Sequence, residues 1–243
     1  MKNDKTFSSS ERGSFIYFRG KANGKNAVLS KRRIRQLAWW LNLILRRRRE
    51  TERIDLSMEY EIFEHRFTIR ESSLISADAA PIDQVLLRPK IGELRTVVST
   101  RDCLRPETYR ILFGKILYGD REYFSDLDVF TLNPLLNDGE NALRCRDIPG
   151  LEDVILVQCK FRSASGELLA LHGPDAIRMI GEMKRSLLAG SEIVSAKFRF
   201  RINALKNAQT LKIKLGNRAE FPFCCEKIIE AWLTERGFKH GNK

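Results

Sequence analysis

Tyr118–Arg162 decides how this chain is read: YGDREYFSDLDVF over 118–130, a turn-rich spacer, then EDVILVQCKFR over 152–162. Both quoted segments have the character of β-strands that carry polar groups among apolar neighbours. Alternation along a strand places Asp126 and Asp128 on one face of the first segment and Gln158 and Lys160 on one face of the second. If the two strands are neighbours, two carboxylates, an amide and an ammonium converge at one edge of a sheet. Close carboxylates hold a hard divalent cation, Mg²⁺ or Mn²⁺, and a nearby Lys orients a nucleophile or stabilises a phosphate.

The 243 residues suffice for one large domain or two small ones, and 43% apolar with 30% charged residues is a folded composition. Lys and Arg number 43 against 31 acids, a formal net charge of +12. That excess favours an anionic partner, DNA or RNA before an acidic membrane surface. The N-terminal MKNDKTFSSSERGS shows no secretory core segment, and the longest apolar stretch, LAWWLNLIL, is about half a membrane span. Five cysteines, odd in number and without C-x-x-C spacing, point to a reducing, cytoplasmic setting and away from a zinc site.

Outward from the central stretch, SFIYF reads as a short strand and Ser30 as a helix N-cap. Ile34, Leu37, Ala38, Leu41, Ile44 and Leu45 recur at helical spacing, which predicts an amphipathic helix over 31–50. Its ends are basic. Arg46 and Arg47 suit the negative end of the helix dipole, whereas Arg32 and Arg33 oppose the positive end and call for another role, such as phosphate contact. A solvated polar face is the plain alternative, and Trp39 and Trp40 among arginines also suit a membrane surface. From Ile54 the period falls to two: Leu56, Met58 and Tyr60 alternate with Ser57 and Glu59, a half-buried strand with an acidic outer face. RFTIRES returns as its hairpin partner, and QVLLRPKIGELRTVVST gives two more strands around Pro89 and Gly92.

In RPETYRILFGKILYG, Pro106 suits a first helical turn and Gly119 a C-terminal cap, so a helix over about 106–118 is expected. Gly114 inside it costs about 1 kcal/mol and leaves open a strand, YRILF, ending there. Further on, GPDAIRMIGEMKRSLLAG is helical, and a last helix spans about 225–236. SAKFRFRI alternates Phe198, Phe200 and Ile202 with Lys197, Arg199 and Arg201, and TLKIKLG sets Lys212 and Lys214 between Leu211, Ile213 and Leu215. If these strands pair, five cations share one sheet face, either to bind an anion or to discourage aggregation at an edge.

With the helix reading, residues 106–200 resemble the core of PD-(D/E)xK nucleases, most closely the Mrr-type restriction endonuclease branch. The carriers are Asp128, the Gln158-Cys159-Lys160 motif, and AIRMIGEMK in the following helix. The resemblance implies that Asp128, with Asp126, holds the metal, that Gln158 replaces a second acid, that Lys160 positions the attacking water, and that Glu107 completes the site. With the strand reading, Phe113-Gly114, Gly119-Asp120 and Ser125-Asp126-Leu127-Asp128 resemble DNA polymerase β-like nucleotidyltransferases. Asp153 then supplies the third carboxylate. No G-x-x-x-x-G-K-[ST] loop is present, and His65, His172 and His240 are scattered.

The expectation is therefore an α+β protein with a mixed sheet and flanking helices. Residues 1–100 form a basic helix and a β-rich part, and residues 101–243 a restriction-endonuclease-like part. Its expected function is nucleic-acid binding with metal-dependent phosphodiester cleavage, in restriction or defence. The competing readings are a nucleotidyltransferase, or a non-catalytic nucleic-acid-binding subunit with protein partners or in a homo-oligomer. The candidate phosphate contacts are Arg32, Arg33, Arg46, Arg47, Lys197, Arg199, Arg201, Lys212 and Lys214.

Overall fold

The computed structural model describes residues 12–21, 29–48, 53–61, 64–72, 82–97, 104–125, 129–183 and 190–240. It has the α+β class expected, organised as two compact units. One is built on Ser14–Leu127 and the other on Asp128–Gly241.

The first unit contains β1 (Arg12–Gly20), α1 (Lys31–Arg48), β2 (Arg53–Glu61), β3 (Glu64–Ser72), β4 (Ile82–Arg88), β5 (Glu93–Val97), α2 (Leu104–Phe113) and the short β6 (Phe124–Ser125). The strand order is β2-β3-β4-β5-β1, with β6 also on β1. Each pairing is antiparallel: Leu56 faces Ile69, Phe67 faces Val85, and Leu94 lies between Leu87 and Phe18. Two-residue periodicity produces this register. It puts Phe18, Phe67, Ile69, Val85, Leu87 and Leu94 on one side, where Leu37 and Leu41 of α1 and Tyr109, Leu112 and Phe113 of α2 cover them. Phe67 meets Phe113 edge to face at 4.9 Å. Met58, expected on the buried face of β2, is exposed, because β2 ends the strand order and, among the described residues, has a neighbour on one side alone.

Residues 104–118 are helical throughout: α2 passes directly into a π-helical turn over Gly114–Tyr118, and Gly119, at φ 79°, closes it. The alternative strand YRILF is therefore not formed. Because Leu112, Phe113, Ile116 and Leu117 pack into the same core as β1 and β3–β5, the unit extends to Leu127 and the expected boundary near residue 100 moves accordingly.

The second unit contains α3 (Asn133–Asn137), β7 (Leu151–Arg162), β8 (Leu168–His172), α4 (Ala176–Met183), β9 (Glu192–Ile202), β10 (Gln209–Lys214), β11 (Arg218–Pro222) and α5 (Glu226–Glu235). Its strands run β11-β10-β9-β7-β8. The described pairings are again all antiparallel, so the parallel component of the expected mixed sheet is not among them. Alternation on β9 buries Ala196, Phe198, Phe200 and Ile202, which α5 covers through Trp232. The Trp232 indole lies 5.3 Å from Phe198 and 5.0 Å from Phe200, stacks on Phe238, and donates its N–H to the Arg144 carbonyl at 3.0 Å.

Candidate nucleic-acid interface

One face of the second unit's sheet lies under α5; the other is built from the polar positions of the same strands. On β9, Lys197, Arg199 and Arg201 alternate with the buried phenylalanines, and on β10 Lys212 and Lys214 alternate with buried Leu211 and Ile213. Register then aligns these outward residues in rungs. His172, Gln158, Lys197, Lys212 and Glu220 form one rung from β8 to β11. Ala170, Lys160, Ser195, Lys214 and Arg218 form the next. On the other side lie Ile155, Arg199 and Thr210, then Asp153 beside Arg201.

Lys197 faces Lys212 directly, a like-charge pair that costs about 0.2–1 kcal/mol. Glu220 offsets part of this: its carboxylate lies 3.8 Å from Lys212 Nζ and 3.7 Å from Lys214 Nζ. Both pairs are solvent-exposed and contribute little. Among the described residues, Lys160, Arg162, Lys197, Arg199, Arg201 and Arg218 make no ion pair. The five cations expected to share a sheet face do share it, and Lys160, Arg162 and Arg218 enlarge it.

Gln158 and Lys160 lie on this outer face as alternation predicts, with Cys159 buried between them. Burial pushes the Cys159 thiol up to about 12, so it serves as core. A bulge at Val157 shifts the β7–β9 register, setting Leu156 opposite Phe198 and Gln158 opposite Lys197. The Gln158 amide nitrogen lies 3.3 Å from His172 Nε2, within reach of donating to a neutral imidazole.

Asp126 and Asp128 lie outside the described residues. Among the described residues no group of three His, Cys, Asp or Glu side chains could hold a metal ion. Glu107, the helix carboxylate implied by the nuclease resemblance, is bound by Arg110 (Nε to Oε1, 2.8 Å), which also reaches Glu122 at 3.2 Å and the Phe124 carbonyl. Asp153, the third carboxylate implied by the nucleotidyltransferase resemblance, is exposed opposite Arg201.

The α1 arginines divide. Arg32 is exposed, whereas Arg33 donates from Nη1 to the Leu117 carbonyl at 2.6 Å, capping the π turn. Arg46 and Arg47 lie within α1, and their side chains are outside the described residues. Arg162, Arg218 and His172 were not singled out in the sequence. Arg162 follows Lys160 by two residues and was legible from alternation alone, but Arg218 and His172 join the face only through strand register.

The second unit thus belongs to a simple class: an antiparallel sheet with α5 over one face and a basic outer face. The sequence matches no known protein family and no curated protein. No described helix is long and apolar enough to cross a membrane.

Proposed function

We propose that the protein binds nucleic acid through the outer face of the β7–β11 sheet, by contacts to phosphates. The observation that carries this reading is the alignment of Lys197 with Lys212, and of Lys160 with Lys214 and Arg218, in adjacent rungs of one sheet. Such an arrangement opposes folding and favours an anion. Each phosphate neutralised releases counterions, so binding weakens steeply with salt. Fluorescence anisotropy with a labelled DNA duplex at several salt concentrations tests this. Replacing Lys197, Arg199, Arg201, Lys212 and Lys214 together by threonine is expected to reduce the log–log salt slope by about 4–5. An unchanged slope, or capture by anionic vesicles without oligonucleotide binding, overturns the reading. Cys145, Cys159, Cys224 and Cys225 are free thiols, which fits a reducing cytoplasm as the setting.

A second reading adds Mg²⁺- or Mn²⁺-dependent phosphodiester cleavage on the same unit, with Gln158 and Lys160 in the roles that the nuclease resemblance implies. It is favoured by the exposure of Lys160, two residues from Gln158 on the phosphate-binding face, with no counter-ion among the described residues. Lys160→Ala is then expected to lower cleavage by at least about 100-fold while leaving duplex affinity within a few-fold. Wild-type cleavage in that variant removes Lys160 from the chemistry.

A further inference from the structure

The outward strip of α1 has a composition that packing does not require. Leu37 and Leu41 face the core without exposed surface, whereas Trp39 is 58% exposed. Arg35 and Arg32, four and seven residues before it, are exposed on the same strip, since positions three to four apart share a helix face. Neither arginine has an ion pair among the described residues, and α1 contains no acid at all. The neighbouring Trp40 is engaged: it is half-buried, with the Lys115 ammonium 5.1 Å from its ring centroid. Trp39 has the edge of Trp40 at 5.0 Å and leaves its indole largely in water.

An exposed ring with guanidinium groups one and two turns away matches the two parts of a single nucleic-acid strand. The base stacks on the ring, and the flanking phosphates meet the cations. A lipid surface fits less well. Interfacial helices insert a broad apolar face, and here the apolar face lies in the core while Arg35, Gln36, Asn42 and the half-buried Leu43 surround Trp39. The first-turn cations Lys31 and Arg32 also oppose the helix dipole, a cost that a bound phosphate offsets. We propose that Trp39, with Arg32 and Arg35, forms a stacking site for unpaired bases of single-stranded nucleic acid. This site stands on the Ser14–Leu127 unit and does not depend on the basic sheet.

The test is titration of the full chain with a short oligothymidylate, followed by intrinsic tryptophan emission and, with a labelled strand, by anisotropy. Trp232 is fully buried, so emission quenching reports the α1 tryptophans. Quenching is expected on binding. Trp39→Phe retains a ring to stack on and is expected to keep most of the affinity while losing the quench. Trp39→Ala is expected to weaken binding about 5- to 100-fold, with unchanged far-UV circular dichroism because the side chain is exposed. Replacing the five sheet cations is expected to leave the Trp39 quench in place, which separates this site from the sheet. Four results overturn the proposal: no oligothymidylate binding, unchanged affinity in Trp39→Ala, a quench that persists in Trp39→Phe, or a quench lost with the sheet cations. A blue shift of Trp39 on phosphatidylglycerol vesicles, without response to the oligonucleotide, assigns the strip to membranes instead.

Discussion

Gly114 shows how a residue that looks like a defect becomes a requirement. By propensity it weakens its helix by about 1 kcal/mol relative to alanine. In the fold, a Cβ at this position would lie 2.6 Å from the Asp120 carbonyl oxygen. The chain turns back so closely because the Gly119 N–H donates to the Lys115 carbonyl at 3.1 Å and the Asp120 N–H to the Gly114 carbonyl at 3.3 Å. Asp120 is then held by Lys21, whose hydrogen bond keeps the carboxyl below its usual range, helped by the Glu122 N–H. Neither the π turn nor the return of Asp120 has a counterpart in hydrophobic period, so the sequence could show the glycine but not its reason. Gly114→Ala is expected to lower stability by about 1–3 kcal/mol, read from the urea midpoint, because the obstacle is backbone rather than a flexible side chain. A more stable variant, the sign that helix propensity alone predicts, would rule out the close approach.

At the scale of elements, legibility follows the range of the interactions. Helix α1 was readable because its cap and its stripe are local: the Arg33 N–H donates to Ser30 Oγ at 3.3 Å, and Leu37 and Leu41 fall one turn apart on the buried side. Strands β9 and β10 were readable for the same reason, with a period of two over Lys197–Ile202 and Leu211–Lys214. The roles of neighbouring cations were not. Arg32 and Arg33 look alike in the chain, yet Arg33 reaches 84 positions on to the Leu117 carbonyl, while Arg32 faces solvent. Two substitutions separate them. Arg33→Met is expected to lower stability by about 1–2 kcal/mol, since a half-buried charged donor and the Leu117 carbonyl of the π turn lose each other, with nucleic-acid affinity little changed. Arg32→Met is expected to leave the melting point within about 1 °C and to weaken oligonucleotide binding, since removal of an exposed side chain has little effect on folding. Reversed outcomes in melting and anisotropy would exchange the two roles.

At the scale of the whole molecule, charge and fold pull against each other. Composition supplied the net charge of +12, and alternation assigned part of it to one sheet face. The set of cations that meets there depends on the β7–β9 register and the bulge at Val157, which no local pattern encodes. The division at Leu127/Asp128 was equally hidden, because α2 joins its core by packing rather than by a break in composition. The assembled face has a thermodynamic consequence. Lys197 opposite Lys212 destabilises the ligand-free protein, and a polyanion that binds the folded face alone stabilises it by mass action. A duplex at about 100 times its dissociation constant contributes about 2.7 kcal/mol, which for a chain of this length raises the melting temperature by about 5–10 °C. Lys197→Thr relieves the like-charge pair and retains a strand-favouring residue. It is therefore expected to raise the ligand-free melting temperature by about 1–3 °C while shrinking the shift produced by the duplex. Calorimetric melts of both proteins, with and without duplex at low salt, measure the two effects together. A variant that melts lower than wild type and still shows the full duplex shift would mean that Lys197 supports the sheet and does not meet the anion.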